Sequence, residues 1–156
     1  MTFVNGSLFD KILLHIDGSD ASMAAAVFAV DLAAAQNSDL IVVYVVDTAT
    51  MEYLSQMRIF IEEEKDEFAE DLERNGGRYL EYVKTLAGKQ GIEPSLKCIR
   101  GSIHQVILDQ ARDEAADVVI VGGWRRTVTR KDATSVERQL ILDEAPCPVI
   151  VVKKNE

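Results

Sequence analysis

A chain of 156 residues, 47% apolar and 6% aromatic, is long enough for one full core and reads as a soluble α/β domain rich in small aliphatic side chains. Its 26 acidic against 17 basic residues leave a net charge of −9, which argues against nucleic acid or an anionic membrane as a partner of the whole surface. The most apolar stretch, Met23 to Ala35, contains Asp31 and is too short to span a bilayer. The opening residues show no positive region ahead of an apolar one. Cys98 and Cys147 lack metal or redox spacing; two buried, reduced thiols in a cytoplasmic protein are expected.

Residues 1–9 read as a loose arm. Lys11 to Ile16 is the first expected strand, ended by Asp17-Gly18-Ser19-Asp20, where Gly18 permits a tight turn and Ser19 or Asp20 can cap a helix. That helix, alanine-rich, runs from about Ala21 to Ala35. Leu40 to Val46 is a β-branched run expected to be a strand buried on both faces. Asp47 to about Ile61 reads as a loop or irregular helix lying over the body. From Glu62 to about Lys89, apolar residues including Phe68, Leu72, Tyr79, Val83 and Leu86 recur at helical spacing. The glycine pair Gly76-Gly77 inside that helix predicts a kink or break. Pro94 to Arg100 is a half-exposed strand, hence an edge. A helix from Ile103 to about Ala115 buries Ile103, Val106, Ile107 and Ala111. Val118 to Val121 is the fourth strand. Ser135 to Glu144 is a helix with Val136, Leu140 and Ile141 inward, stopped by Ala145-Pro146-Cys147-Pro148. Val149 to Val152 closes the series. Five strands alternating with helices predict a single α/β domain over residues 1–156, built on a parallel sheet with helices on both faces.

The stretch with most chemistry is Asp117 to Ser135. A buried-type strand stops at Gly122-Gly123. Arg125, Arg126, Arg130 and Lys131 follow with no acid before Asp132, and then a helix begins. Strand, glycines, basic loop and helix start, in that order, are what an anion site at the carboxyl end of a parallel sheet needs. The plainer reading is that the glycines turn the chain and the arginines are surface charges.

Four segments are similar to the universal stress protein family. They are KILLHIDGSDAS, IVVYVVD, RGSIHQVILDQARDEAADVVIVGG and APCPVIVVK, which together cover about Lys11 to Lys153 in order. The resemblance implies a parallel sheet of order 3-2-1-4-5, of the adenine nucleotide alpha hydrolase-like type. It implies a stress-response or regulatory role, with ATP (carried with Mg) or AMP bound over strands one and four. It places Asp17 at the adenosine end, and the backbone of Val45 against adenine. A Gly-x2-Gly-x9-Gly-Ser/Thr loop would wrap the phosphates. It also implies a homodimer formed by pairing the last strands, Val149 to Lys153.

The loop is where the chain departs from the family. Gly122 fits the first glycine, but Arg125, Ser135 and Val136 occupy the remaining three positions. Glycines let backbone N–H groups approach a phosphate; guanidinium groups replace that approach with charged hydrogen bonds. Three outcomes stay open: ATP held by altered contacts, another anion, or an empty site. His15 stands where many members carry Pro, and is either a ligand contact or a structural histidine. His104 reads as a surface or capping residue, Trp124 as a lid or a packing aromatic. The two histidines have no partners at metal-ligand spacing. No catalytic base and nucleophile are brought together by any motif. A binding protein is therefore expected, the alternatives being an ATP-hydrolysing or adenylating enzyme of the same fold and an interaction module with no nucleotide.

Overall fold

The computed structural model describes residues 8–58, 62–123 and 133–154. Five strands, β1 (Lys11–Ile16), β2 (Asp39–Asp47), β3 (Ser95–Gly101), β4 (Val118–Gly122) and β5 (Val149–Val152), form one parallel sheet in the order β3-β2-β1-β4-β5. The inner strands are apolar throughout because both of their faces are covered. Every residue of β4 is buried, and all of β1 except Lys11. Alternate residues serve opposite layers. Ile12, Leu14, Val42 and Tyr44 pack against α1 (Asp20–Gln36) and α3 (Glu62–Gly88). Leu13, Val43, Val119 and Val121 pack against α4 (Ile103–Asp113) and α5 (Ala133–Glu144). Short α2 (Thr48–Gln56) rests on α3 and the end of β3, with Met51 as its buried anchor.

Helix α1 lies close to the sheet because its inner face is alanine: Ala25, Ala26, Ala29 and Ala33 are all buried. Ser19 caps its start by accepting from the Ser22 N–H, and Asn37, left-handed at φ 53°, ends it. The stretch expected as loop or irregular helix is a regular α2, begun by the Asp47 carboxylate accepting from the Thr50 N–H at 3.0 Å. The arm at residues 1–9 is described only from Leu8 onward.

Three expectations are corrected. Helix α3 runs unbroken through Gly76-Gly77. Gly76 is there because a Cβ would overlap the ring of Tyr44, which is itself stacked on Tyr79 at 6.2 Å between ring centres. A Cβ at Gly77 meets nothing within 4 Å. The two adjacent glycines therefore respond oppositely to alanine. Gly77→Ala is expected to gain about 1 kcal/mol of helix propensity. Gly76→Ala gains the same propensity but must displace a packed ring, at about 1–3 kcal/mol, and loses overall. Urea midpoints of the two variants check this, and equal midpoints would refute the close approach to Tyr44.

Val136, expected inward, is 50% exposed. Ile141 is buried, and five residues of helix turn the chain by about 140° past a full circle. The register that seats Ile141 thus carries Val136 to the opposite side. The two thiols are also not buried: Cys98 is exposed and Cys147 half-buried. Cys98 sits on edge strand β3, whose faces are only partly covered. Desolvation still pushes both thiols above their ordinary pKa.

Candidate functional site

Strands β1 and β4 are neighbours, yet β1 leads into a helix on one face of the sheet and β4 precedes one on the other. A crevice opens between carboxyl ends at such a switch point. On one side is the turn after β1. The Asp17 carboxylate accepts from the Ser19 N–H at 2.9 Å, and the Asp17 N–H donates to Ser22 Oγ at 3.2 Å. Ser22 Oγ donates in turn to the Ser19 carbonyl at 3.0 Å. Gly18 makes the bend at φ 83°, a left-handed conformation that favours glycine, with the tip of the Tyr79 ring packed over it. Asp17 is thereby held in one orientation. Burial pushes its pKa up, but the Ser19 hydrogen bonds, His15 and Ser22 outweigh that and hold it below the usual carboxylate range. It is an ionised acceptor at neutral pH, suited to hydroxyl or amine donors.

On the second side stands β2. Its ladder with β1 ends at Ile16↔Tyr44, whereas its ladder with β3 continues to Asp47↔Gly101. Val45 is therefore the first residue of β2 past the top of β1. Its side chain is buried in the α4/α5 layer, and its backbone lies above the end of β1. The third side is Gly122, at the end of β4. A Cβ there would stand 2.6 Å from the Ser22 nitrogen and 2.7 Å from the Ala21 carbonyl carbon. Gly122 thus lets β4 end against the first turn of α1. The following Gly123 N–H donates to the Val152 carbonyl at 2.7 Å, tying the exit of β4 to β5.

His15, 8% exposed, lies two residues beyond Leu13 on the same face of β1 and so faces the α4/α5 layer beneath these ends. Burial lowers its pKa first of all. Arg138 adds to the lowering, while Asp17 and Glu137 oppose it. The burial of His15 favours the neutral form of its ring.

His104 is neither a plain surface residue nor a side-chain cap. Glu137 Oε2 accepts from the His104 backbone N–H at 2.6 Å and lies 2.7 Å from its ring Nδ1, and Ser102 Oγ is 3.0 Å from that same Nδ1. Serine and carboxylate meet one ring nitrogen, so this is not a nucleophile relay, which needs them on opposite nitrogens. Among the described residues, no three His, Cys, Asp or Glu side chains gather as a metal site, and no helix is long and apolar enough to cross a membrane.

Of the residues expected in the site, the structure brings His15, Asp17, Val45 and Gly122 to neighbouring strand ends. Val136 is on the exposed side of α5. Ser135 falls within α5, with its side chain outside the described residues, as are Trp124, Arg125, Arg126, Arg130 and Lys131. Ser22, Ser102 and Glu137 are not among the residues expected in the site, and Tyr79 is expected only in the apolar stripe of α3.

A family model, the universal stress protein family, matches residues 8–153. The chain belongs to the universal stress protein family. It is 28% identical over 148 residues to a universal stress protein of Methanocaldococcus jannaschii, an alignment covering 95% of this chain and 84% of that one. An Arabidopsis thaliana universal stress protein family member solved with AMP bound superposes with TM-score 0.65 at 14% identity, over 93% of this chain and 92% of the other. A universal stress protein solved in complex with cAMP gives TM-score 0.64 at 17% identity, over 92% and 96%. At these identities the structural likeness establishes the fold, and the strand order is the one the family resemblance implied.

Proposed function

We propose that this universal stress protein is a regulatory binding protein whose ligand is an adenine nucleotide, ATP or AMP, seated over the carboxyl ends of β1, β2 and β4. The observation that carries this reading is Asp17. It is an ionised carboxylate pinned by its own turn, facing a notch where the β2 backbone at Val45 stands clear of β1. A fixed anion suits ribose hydroxyls, and a free strand edge suits the donor and acceptor edge of a base. The binding of AMP and cAMP by relatives of the same fold supports the choice of ligand. Phosphates fall to the segment from Gly122 to Val136, where Arg125 and Ser135 take over from the family's glycines. Mg enters as part of Mg-ATP. The proposed role is that of a binding protein; the Ser102, His104 and Glu137 contacts share one ring nitrogen and supply no nucleophile relay.

The chain is proposed to pair with a second copy through β5 and Lys153. Strand β5 is a sheet edge, entirely aliphatic and half-exposed along its length. Unpaired Cys98 and Cys147 fit a reducing, cytoplasmic setting.

Titration calorimetry with Mg-ATP, ADP and AMP tests the ligand. Saturable binding is expected, with Asp17→Ala weaker by about tenfold or more, the worth of a charged hydrogen bond. No heat at millimolar nucleotide would end this reading. Metal-dependent ADP release that Asp17→Asn abolishes would turn it into the enzymatic one.

A further inference from the structure

The ring of Tyr79 reaches the Asp17 turn from a helix distant in the chain. A Cβ built on Gly18 would lie 2.4 Å from Tyr79 Cε2 and 2.8 Å from its hydroxyl oxygen, so the phenol tip is in contact with that glycine. Gly18 has the most backbone freedom in the turn, and the Asp17 carboxylate spans it to reach the Ser19 N–H at 2.9 Å. A swing of the chain at Gly18 would break that bond and release the carboxylate. The ring is packed on the residue about which the swing would occur.

Tyr79 is itself held. Its ring stacks on that of Tyr44 in β2, at 6.2 Å between centres and 27° between planes. Tyr44 is buried, and Gly76, one turn before Tyr79 in α3, leaves the space that its ring fills. Successive turns of α3 thus clasp one buried ring, and Leu80 and Val83 anchor the same stretch in the core. The turn that carries Asp17 is braced by β2 and α3, and not by its own serines alone.

Resting on the nucleotide reading above, we propose that Tyr79 is a positioning residue that sets the preference of the site for a ribonucleotide over a nucleotide without sugar hydroxyls. It acts through Asp17 and not on the ligand. A carboxylate free to swing must be ordered when the ligand arrives, and that cost falls on the hydroxyl contacts alone.

Calorimetry with AMP and 2′,3′-dideoxy-AMP tests this, because base and phosphate are common to both and cancel in the ratio of affinities. The parent chain is expected to favour AMP by about tenfold, through one hydrogen bond to a charged group. Tyr79→Ala should cut that preference to about twofold. Tyr79→Phe keeps the ring over Gly18 and should retain it. Gly76→Ala, which displaces the Tyr44 ring, should lower it part of the way. Val83→Ala removes packing from α3 one turn beyond Tyr79; it should lower the urea midpoint and leave the preference alone. A second readout needs no ligand. In carbon NMR the Asp17 carboxyl should titrate at higher pH in Tyr79→Ala than in the parent, since the Ser19 hydrogen bonds that depress it are loosened while His15 and Tyr44, which also act on it, remain. A Tyr79→Ala chain that keeps both the preference and the parent titration overturns the proposal, as does an equal loss of preference in Val83→Ala, which would mean general loosening. If Tyr79→Ala does not fold, Tyr79→Leu decides by the same two measurements. A parent chain that binds neither nucleotide removes the nucleotide reading and this one with it. A parent that favours AMP, with every Tyr79 variant alike, removes only this one.

Discussion

Gly122→Val is expected to unfold at a much lower urea concentration than the parent chain, and Gly122→Ala at an intermediate one. The sign needs deciding, because replacing glycine in a strand ordinarily helps by about 0.5–1 kcal/mol. Here the new Cβ would stand 2.6 Å from the Ser22 nitrogen and 2.9 Å from its Cα, in a helix turn tied down by the Ser19 and Ser22 hydrogen bonds. Those atoms are backbone and cannot rotate aside. Overpacking costs about 1–3 kcal/mol for one methyl group and more for the branched side chain, so the loss wins. The same displacement pushes α1 and the Asp17 turn away from β4, so nucleotide affinity should fall together with stability. Equilibrium urea curves measure the first effect and calorimetry the second. Parent-like midpoints for both variants would show that β4 and α1 are not in close contact.

The chain is also expected to lose stability on mild acidification, through His15. Its ordinary pKa is 6.5, and burial lowers it in the folded state. Between those two values the unfolded chain takes up a proton that the folded one refuses. Stability therefore rises with pH through this window, is fully present above about 6.5, and is lost as pH falls. The slope approaches about 1.4 kcal/mol per pH unit once the unfolded histidine is protonated and the folded one is not. His15→Leu fills the same apolar layer without a titrating group, so its stability should fall less steeply between pH 7 and 5. Urea midpoints across that range compare the two. Parallel curves would mean that His15 takes up its proton freely in the folded state. Asp17 does not confuse the window, since its pKa is held below the usual carboxylate range.

Strand identities were legible because β1, β4 and β5 are short apolar runs bounded by Asp-Gly, Gly-Gly and Pro, and both-face burial leaves that signature. Asp17 and Gly122 stood out for a related reason: each closes such a run. What stayed hidden depends on contacts between distant elements. Gly76 looked like a helix breaker because Tyr44, the ring that requires it, belongs to another element. Val136 looked inward because its spacing from Leu140 fits a stripe, whereas the packing of Ile141 sets the rotation. His104 looked like surface because its partner, Glu137, is 33 residues away. Cys98 was expected buried from residue type alone, although the edge position of β3 that exposes it was itself legible in the alternation of its residues.

The uneven heights of β1 and β3 beside β2 carry a further consequence. Whatever reads the main chain at position 45 is indifferent to which amino acid supplies it. Relatives could exchange Val45 for any residue that packs below and lose none of the recognition. Selectivity among guests would then drift only through the loop and the acid opposite. Kinship in ligand choice could in this way outlast kinship in sequence.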